Sequence, residues 1–139
     1  MIENQEIDYS KLSEILAETE EPAFFKCFFN GTALRSLKAE NAVFNDCKMS
    51  NIDFSYSDFN GAVFRNCDLN NCNFNGCRLF DAKFENCKLS GSDFSDTSNL
   101  NCEFEQCQLC YCFMPCFNFK KLTLRELNFN GAELNDCDF

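Results

Sequence analysis

The sequence predicts an all-β solenoid of short stacked repeats, opened by one short helix. Two observations carry this. From Phe24 to Phe139 a large apolar residue returns at every fifth position, and 22 of these 24 central positions are Phe, Leu or Met, the exceptions being Ala39 and Asn99. Two residues before each of them the chain places a small residue, with Ala, Cys, Ser or Thr at 18 of the 24 sites. A period of five fits neither the 3.6 of a helix nor the 2 of a strand. A fixed short period marks a repeat architecture. So short a repeat turns the chain before a strand can lengthen, and the coils above and below must then satisfy the backbone.

In chain order, residues 1–9 read as frayed. Ser10 reads as a helix N-cap, since its hydroxyl can accept a free N–H of the first turn. Leu12, Ile15 and Leu16 follow at helical spacing, and Pro22 ends the segment. This predicts a helix over Lys11–Glu20 that caps the first coil, because a stacked repeat must cover its terminal apolar face. The chain thus divides into an acidic N-terminal segment, 1–23, and a repeat body, 24–139. The first carries seven acids against Lys11, a net −6, and the second fifteen acids against eleven bases, a net −4.

Composition removes several functions. There is no His among the 139 residues, so imidazole chemistry is excluded. No apolar run reaches membrane-spanning length and no export signal opens the chain, which points to the cytoplasm. An acidic balance argues against direct nucleic-acid binding, which needs Lys and Arg to neutralise phosphates. Of twelve cysteines, ten occupy the small position of the repeat (27, 47, 67, 72, 77, 87, 102, 107, 112, 137), which favours reduced thiols packed as small hydrophobes. Cys110 and Cys116 fall outside the pattern and are the expected reactive thiols. Cys107, Cys110, Cys112 and Cys116 cluster in sequence, but their spacing is not that of a zinc site. Glu103 and Glu105 point outward with no evident pocket, no nucleophile has a base in sight, and no Gly-rich phosphate loop is present. We therefore expect no enzyme, no metal and no cofactor.

The repeats Ala-Val-Phe-Arg-Asn (62–66), Cys-Asp-Leu-Asn-Asn (67–71), Cys-Asn-Phe-Asn-Gly (72–76) and Ser-Asp-Phe-Ser-Asp (92–96) resemble the pentapeptide-repeat family. The resemblance implies a right-handed quadrilateral β-helix of about six coils, with four repeats in each 20-residue coil. On that wrap one inner column is Phe24, Phe44, Phe64, Phe84, Phe104 and Leu124, and the next holds Cys27, Cys47, Cys67, Cys87 and Cys107. Ala39 and Asn99 share a face with Phe59, Leu79, Phe119 and Phe139, so that face is expected to be irregular, with a bulge or loop near Thr97–Asn101.

The outward positions differ by face. One carries Asp53, Asp93, Asp96, Glu133 and Asp136 against Arg35 alone, a net −4, which reads either as solubility or as an acidic stripe for a basic partner. Residues 110–127 change style. Tyr111 and Phe113 take outward sites, as an interaction patch or under a local loop. Phe117, Leu122 and Leu127 put large residues at small positions, so either the coil widens or 120–127 forms a loop or helical turn.

Two functional readings follow. Ser92–Leu100, with Glu103–Cys107 after it, resembles the family branch that comprises quinolone-resistance (Qnr-like) and peptide-toxin self-immunity proteins. That branch implies a DNA-mimicking protein that binds and modulates or protects DNA gyrase, and a homodimer. Asp53, Asp93, Asp96, Glu133, Asp136, Leu100, Tyr111 and Phe113 are then the candidate partner-binding residues. The alternative is a structural or protein-binding β-helix module with no topoisomerase role.

Overall fold

The computed structural model describes residues 1–139. Strands β1 (Ile2–Glu3) and β2 (Glu6–Ile7) precede helix α1 (Tyr9–Glu18). Strands β3 (Ala23–Phe25), β4 (Phe28–Phe29), β5 (Val43–Asn45), β6 (Val63–Arg65), β7 (Lys83–Glu85) and β8 (Glu103–Glu105) follow. One parallel sheet runs β1-β3-β5-β6-β7-β8, and β2 pairs with β4. From β3 onward the register is 20 residues, Phe24 facing Phe44, then Phe64, Phe84 and Phe104. Single parallel bridges keep the same step on the other three sides, among them Lys48–Asp68, Asp53–Asn73 and Asp58–Arg78. The result is a right-handed quadrilateral β-helix, as the resemblance implies, but of about five turns rather than six.

Each corner turns at the second residue after the central one. Lys26, Asp46, Asn66, Asn86 and Gln106, on one edge, all take φ between 51° and 56°. Asn, Asp and Gly tolerate that left-handed geometry best, which explains their abundance at these sites. The residue before the central one is often Asp or Asn for a related reason. Its side-chain oxygen accepts the N–H two residues on, as in Asp53 to Ser55 (3.0 Å), Asn73 to Asn75 (2.9 Å) and Asp93 to Ser95 (2.8 Å).

The core is a double aromatic stack. Phe24, Phe44, Phe64, Phe84 and Phe104 lie ring over ring at 4.8–5.0 Å with planes within 10°. Phe54, Phe74 and Phe94 form a second stack that meets the first edge to face, for example Phe84 against Phe94 at 90°. Leu37 and Ala39, exchanged in the pattern, are both buried, so core volume is conserved.

Several expectations change here. The first nine residues are not frayed. Strands β1 and β2 extend the solenoid by pairing on the first coil, and Ile7 is fully buried. The helix starts at Tyr9, and its N-cap is Asp8, not Ser10; the Asp8 carboxylate accepts the Lys11 N–H at 2.9 Å. No loop interrupts Thr97–Asn101, where Ser98 bridges to Arg78 in the ordinary register. The irregularity is confined to one rung, in which the Asn118 N–H donates to the Asn99 side-chain oxygen (2.9 Å). Leu124 leaves the Phe column and is 39% exposed. Phe117 occupies that space, fully buried against Phe94 and Phe104. Residues 120–127 are neither helix nor long loop. The ladder lapses at Thr123 and resumes in the Glu105–Arg125 bridge.

Candidate interaction surface

The acidic residues singled out in the sequence fall on one face in two columns. Asp53, Asn73, Asp93, Phe113 and Glu133 follow one another by bridges one coil apart. Asp96 and Asp136 stand at the adjoining corner, both in left-handed conformation. Tyr111 sits at the corner that leads into this face, whereas Leu100 lies on the following side, one coil from Phe80, apart from the acidic columns.

The acids are not equivalent. Asp53 is tied to Arg35 (3.6 Å), whose guanidinium also bonds the Ser55 hydroxyl (2.9 Å) and lies over the Tyr56 ring. That end of the stripe is locally neutral. Asp93 is half-buried and spends one oxygen on the Ser95 turn. Asp96, Glu133 and Asp136 are exposed, and none of them has an ion-pair partner. The unpaired charge is therefore concentrated in the C-terminal half of the face, with exposed Phe113 between Asp93 and Glu133.

Tyr111 is 69% exposed, yet its ring covers Gly131 of the next coil, as Tyr56 covers Gly76. A Cβ at Gly131 would meet the Tyr111 ring at 2.5 Å, so the glycine makes room for the ring as well as adopting φ of +72°. Part of the outward aromatic surface is thus explained by local packing across one rung. The sequence signal was available in the 20-residue spacing of each Tyr–Gly pair.

The other faces carry compensated charge. Arg65 pairs with Glu85 (3.0 Å), Arg78 with Asp58 (3.8 Å), and Lys83 with Glu103 (3.9 Å). Where the ladder lapses at Thr123, a cleft of about 340 Å³ opens beside Lys83, Glu85, Glu103, Glu105, Lys121 and Arg125. Sequence reasoning missed this cleft, because nothing in the repeat marks where the ladder lapses.

Nine of the repeat-site cysteines are buried, Cys110 and Cys137 are half-buried, and Cys116 is exposed; all twelve are free thiols. Burial pushes the Cys72, Cys77 and Cys112 thiols up to about 12. In the five-thiol column each thiol from Cys47 onward reaches a backbone carbonyl of the preceding coil, Cys47 that of Phe24 (3.8 Å), and Cys67, Cys87 and Cys107 those of Phe44, Phe64 and Phe84 (3.3 Å each). No group of three or more His, Cys, Asp or Glu side chains converges to hold a metal ion. No helix is long and apolar enough to cross a membrane.

No curated protein matches the chain significantly. Among solved structures, full-length QnrB1, a plasmid-mediated fluoroquinolone resistance protein, superposes with a TM-score of 0.60 at 18% identity, covering 98% of this chain and 68% of that one. The cyanobacterial pentapeptide repeat protein Rfr23 of Cyanothece 51142 gives 0.40 at 15% identity, over 99% of this chain and 83% of that one. A pentapeptide repeat protein of the Arabidopsis thaliana thylakoid lumen gives 0.44 at 18% identity, over 76% and 68%. At 18% identity the likeness to QnrB1 is one of fold. The model of the pentapeptide repeat region matches residues 17–94, more than half of the chain, and that of pentapeptide repeats in eight copies matches 102–139. The chain belongs to the pentapeptide-repeat family.

Proposed function

We propose that this chain is a non-enzymatic interaction protein whose acidic face takes the place of duplex DNA in a basic groove of a type II topoisomerase of the DNA gyrase class, modulating or protecting it. The observation that carries this reading is the set Asp93, Asp96, Glu133 and Asp136, stacked along one side of a stiff rod without a basic partner. Acids two coils apart stand about 10 Å from one another. A single-signed row of this kind steers a basic surface toward it and loses strength with salt. The fold shared with QnrB1, a fluoroquinolone resistance protein by name, supports the choice of partner. Phe113, between two of the acids, supplies an apolar contact, and a homodimer would present two such faces.

A second reading, a binding module with no topoisomerase role, is favoured by the turn-capping duty of Asp53 and Asp93, which gives these carboxylates a local reason to exist.

Gyrase supercoiling assays with and without a quinolone separate the two. On the first reading micromolar protein changes supercoiling or relieves the drug. Neutralising the row together (Asp93→Asn, Asp96→Asn, Glu133→Gln, Asp136→Asn) then weakens the effect at least tenfold, while Asp53→Asn leaves it intact. No effect of the parent protein in either assay sinks the topoisomerase reading.

A further inference from the structure

We propose that the cysteine column is a binding site for soft monovalent metal ions of the Cu(I) class, each ion held linearly between the thiolates of two adjacent coils. Cys27, Cys47, Cys67, Cys87 and Cys107 follow one another at the coil repeat without interruption. No other small-residue column does this. Cys72 and Cys112 are separated by Ser92, Cys77 has Ser57 and Thr97 beside it, and Cys102 follows Ala42, Ala62 and Ala82. The alanine column shows that packing alone does not require sulfur.

Geometry selects the ion. With no three ligating groups converging anywhere, a tetrahedral ion such as zinc has no site. A two-coordinate ion needs only two sulfurs on opposite sides. Twice a metal–sulfur bond of roughly 2.3 Å spans about 4.6 Å. In-register residues on neighbouring strands stand about 4.8 Å apart. Thiolate softness favours Cu(I) among biological metals.

The column lies just beneath one edge of the rod. Cys47, Cys67 and Cys87 line the inner side of an open groove of about 590 Å³ there, with their side chains all but covered, so an ion enters as the edge opens. One wall carries Lys48, Asp68 and Lys88; the other begins at Asp46 and continues through Asn66 and Asn86, whose amides bond each other at 2.7 Å. Binding replaces two S–H protons by one monovalent ion. Both protons leave to solvent, two metal–sulfur bonds form, and the product carries one negative charge. That charge lies in a groove whose lining includes Lys48 and Lys88, and no electron is transferred. Because the ligands must be deprotonated, affinity rises with pH, about a hundredfold per unit while both thiols are protonated.

Disjoint pairing makes the stoichiometry readable. Five thiols in a row hold two ions. Cys67→Ser leaves the pairs 27–47 and 87–107, and still holds two. Cys47→Ser leaves one pair and one ion. Cys47→Ser with Cys87→Ser isolates every remaining thiol and holds none. Serine suits the site, since the Ser92 hydroxyl already donates to the Leu69 carbonyl (2.8 Å) as the Cys67 thiol does to Phe44 (3.3 Å).

The test is anaerobic titration of reduced full-length protein, with Cys110 and Cys116 changed to Ser, using Cu(I) against a bicinchoninate competitor. Circular dichroism checks that each variant folds. Retention of two, two, one and zero ions by parent, Cys67→Ser, Cys47→Ser and the double variant, with a thiolate-to-copper absorption band that scales with the count, is the expected result. No retention by the parent, equal retention by all four proteins, or loss of both ions in Cys67→Ser overturns the proposal. If the double variant does not fold, the contrast between the two single variants decides it.

Discussion

Phe117 stands where the repeat asks for a small residue, and Leu124 stands where it asks for a large one, yet Phe117 is fully buried and Leu124 is 39% exposed. Phe117→Ala should therefore cost roughly 3–5 kcal/mol, as a fully packed phenylalanine does, and Leu124→Ala well under half of that. Denaturant unfolding of the two variants checks the order; the reverse order would restore Leu124 to the column. The exchange could not be read from the sequence, because a period marks positions and does not say which of two large neighbours wins a shared volume. Asn99 makes a similar point. Its break in the pattern was visible, but an interrupted coil was the wrong remedy. A carboxamide has the acceptor of a peptide bond, so the side chain takes the Asn118 N–H and the coil continues. Asn99→Ala should leave that donor unpaired and lose about 1–3 kcal/mol by the same measurement.

Each coil rests on the one before it, so the first coil needs something to rest on. Strands β1 and β2 and helix α1 supply it, burying Ile7 and Leu12 against the start of the Phe stack. The helix was legible from its apolar spacing, although it ends at Glu18, two residues short of the expected Glu20 and ahead of Pro22. The two strands were not, since two residues are too few to show any period. The cap was misplaced by two residues because Asp8 and Ser10 are both good caps, and only the fold decides which oxygen reaches an N–H. Asp8→Ala should cost about 0.5–2 kcal/mol, and Ser10→Ala, inside the helix, should cost nothing measurable. Equal losses from the two would return the cap to Ser10. The candidate acidic face was legible as a set because charge survives in sequence once the 20-residue wrap is known. Its uneven strength was not, since the Arg35–Asp53 pair and the turn bond of Asp93 depend on side-chain reach.

Across the whole rod the thiols couple stability to pH. Cys72, Cys77 and Cys112 ionise near 9.0 when unperturbed and at about 12 in the folded rod, where burial disfavours the thiolate. Below pH 9 both states keep these protons and nothing changes. Between pH 9 and 12 the unfolded chain releases protons that the rod retains, so unfolding is increasingly favoured as pH rises. Each thiol contributes a slope of about 1.4 kcal/mol per pH unit in that window, and its contribution is fully lost above it. The share of one thiol is isolated by difference. Cys72→Ser is the suitable variant. Its hydroxyl can donate to the Met49 carbonyl as the thiol does (3.0 Å), and serine already serves one coil away at Ser92. Urea midpoints measured from pH 8 to pH 11 should fall for both proteins, less steeply for Cys72→Ser by about one thiol's slope. Parallel curves would mean that the buried thiol ionises as readily in the rod as in the unfolded chain, which a fully packed core does not permit.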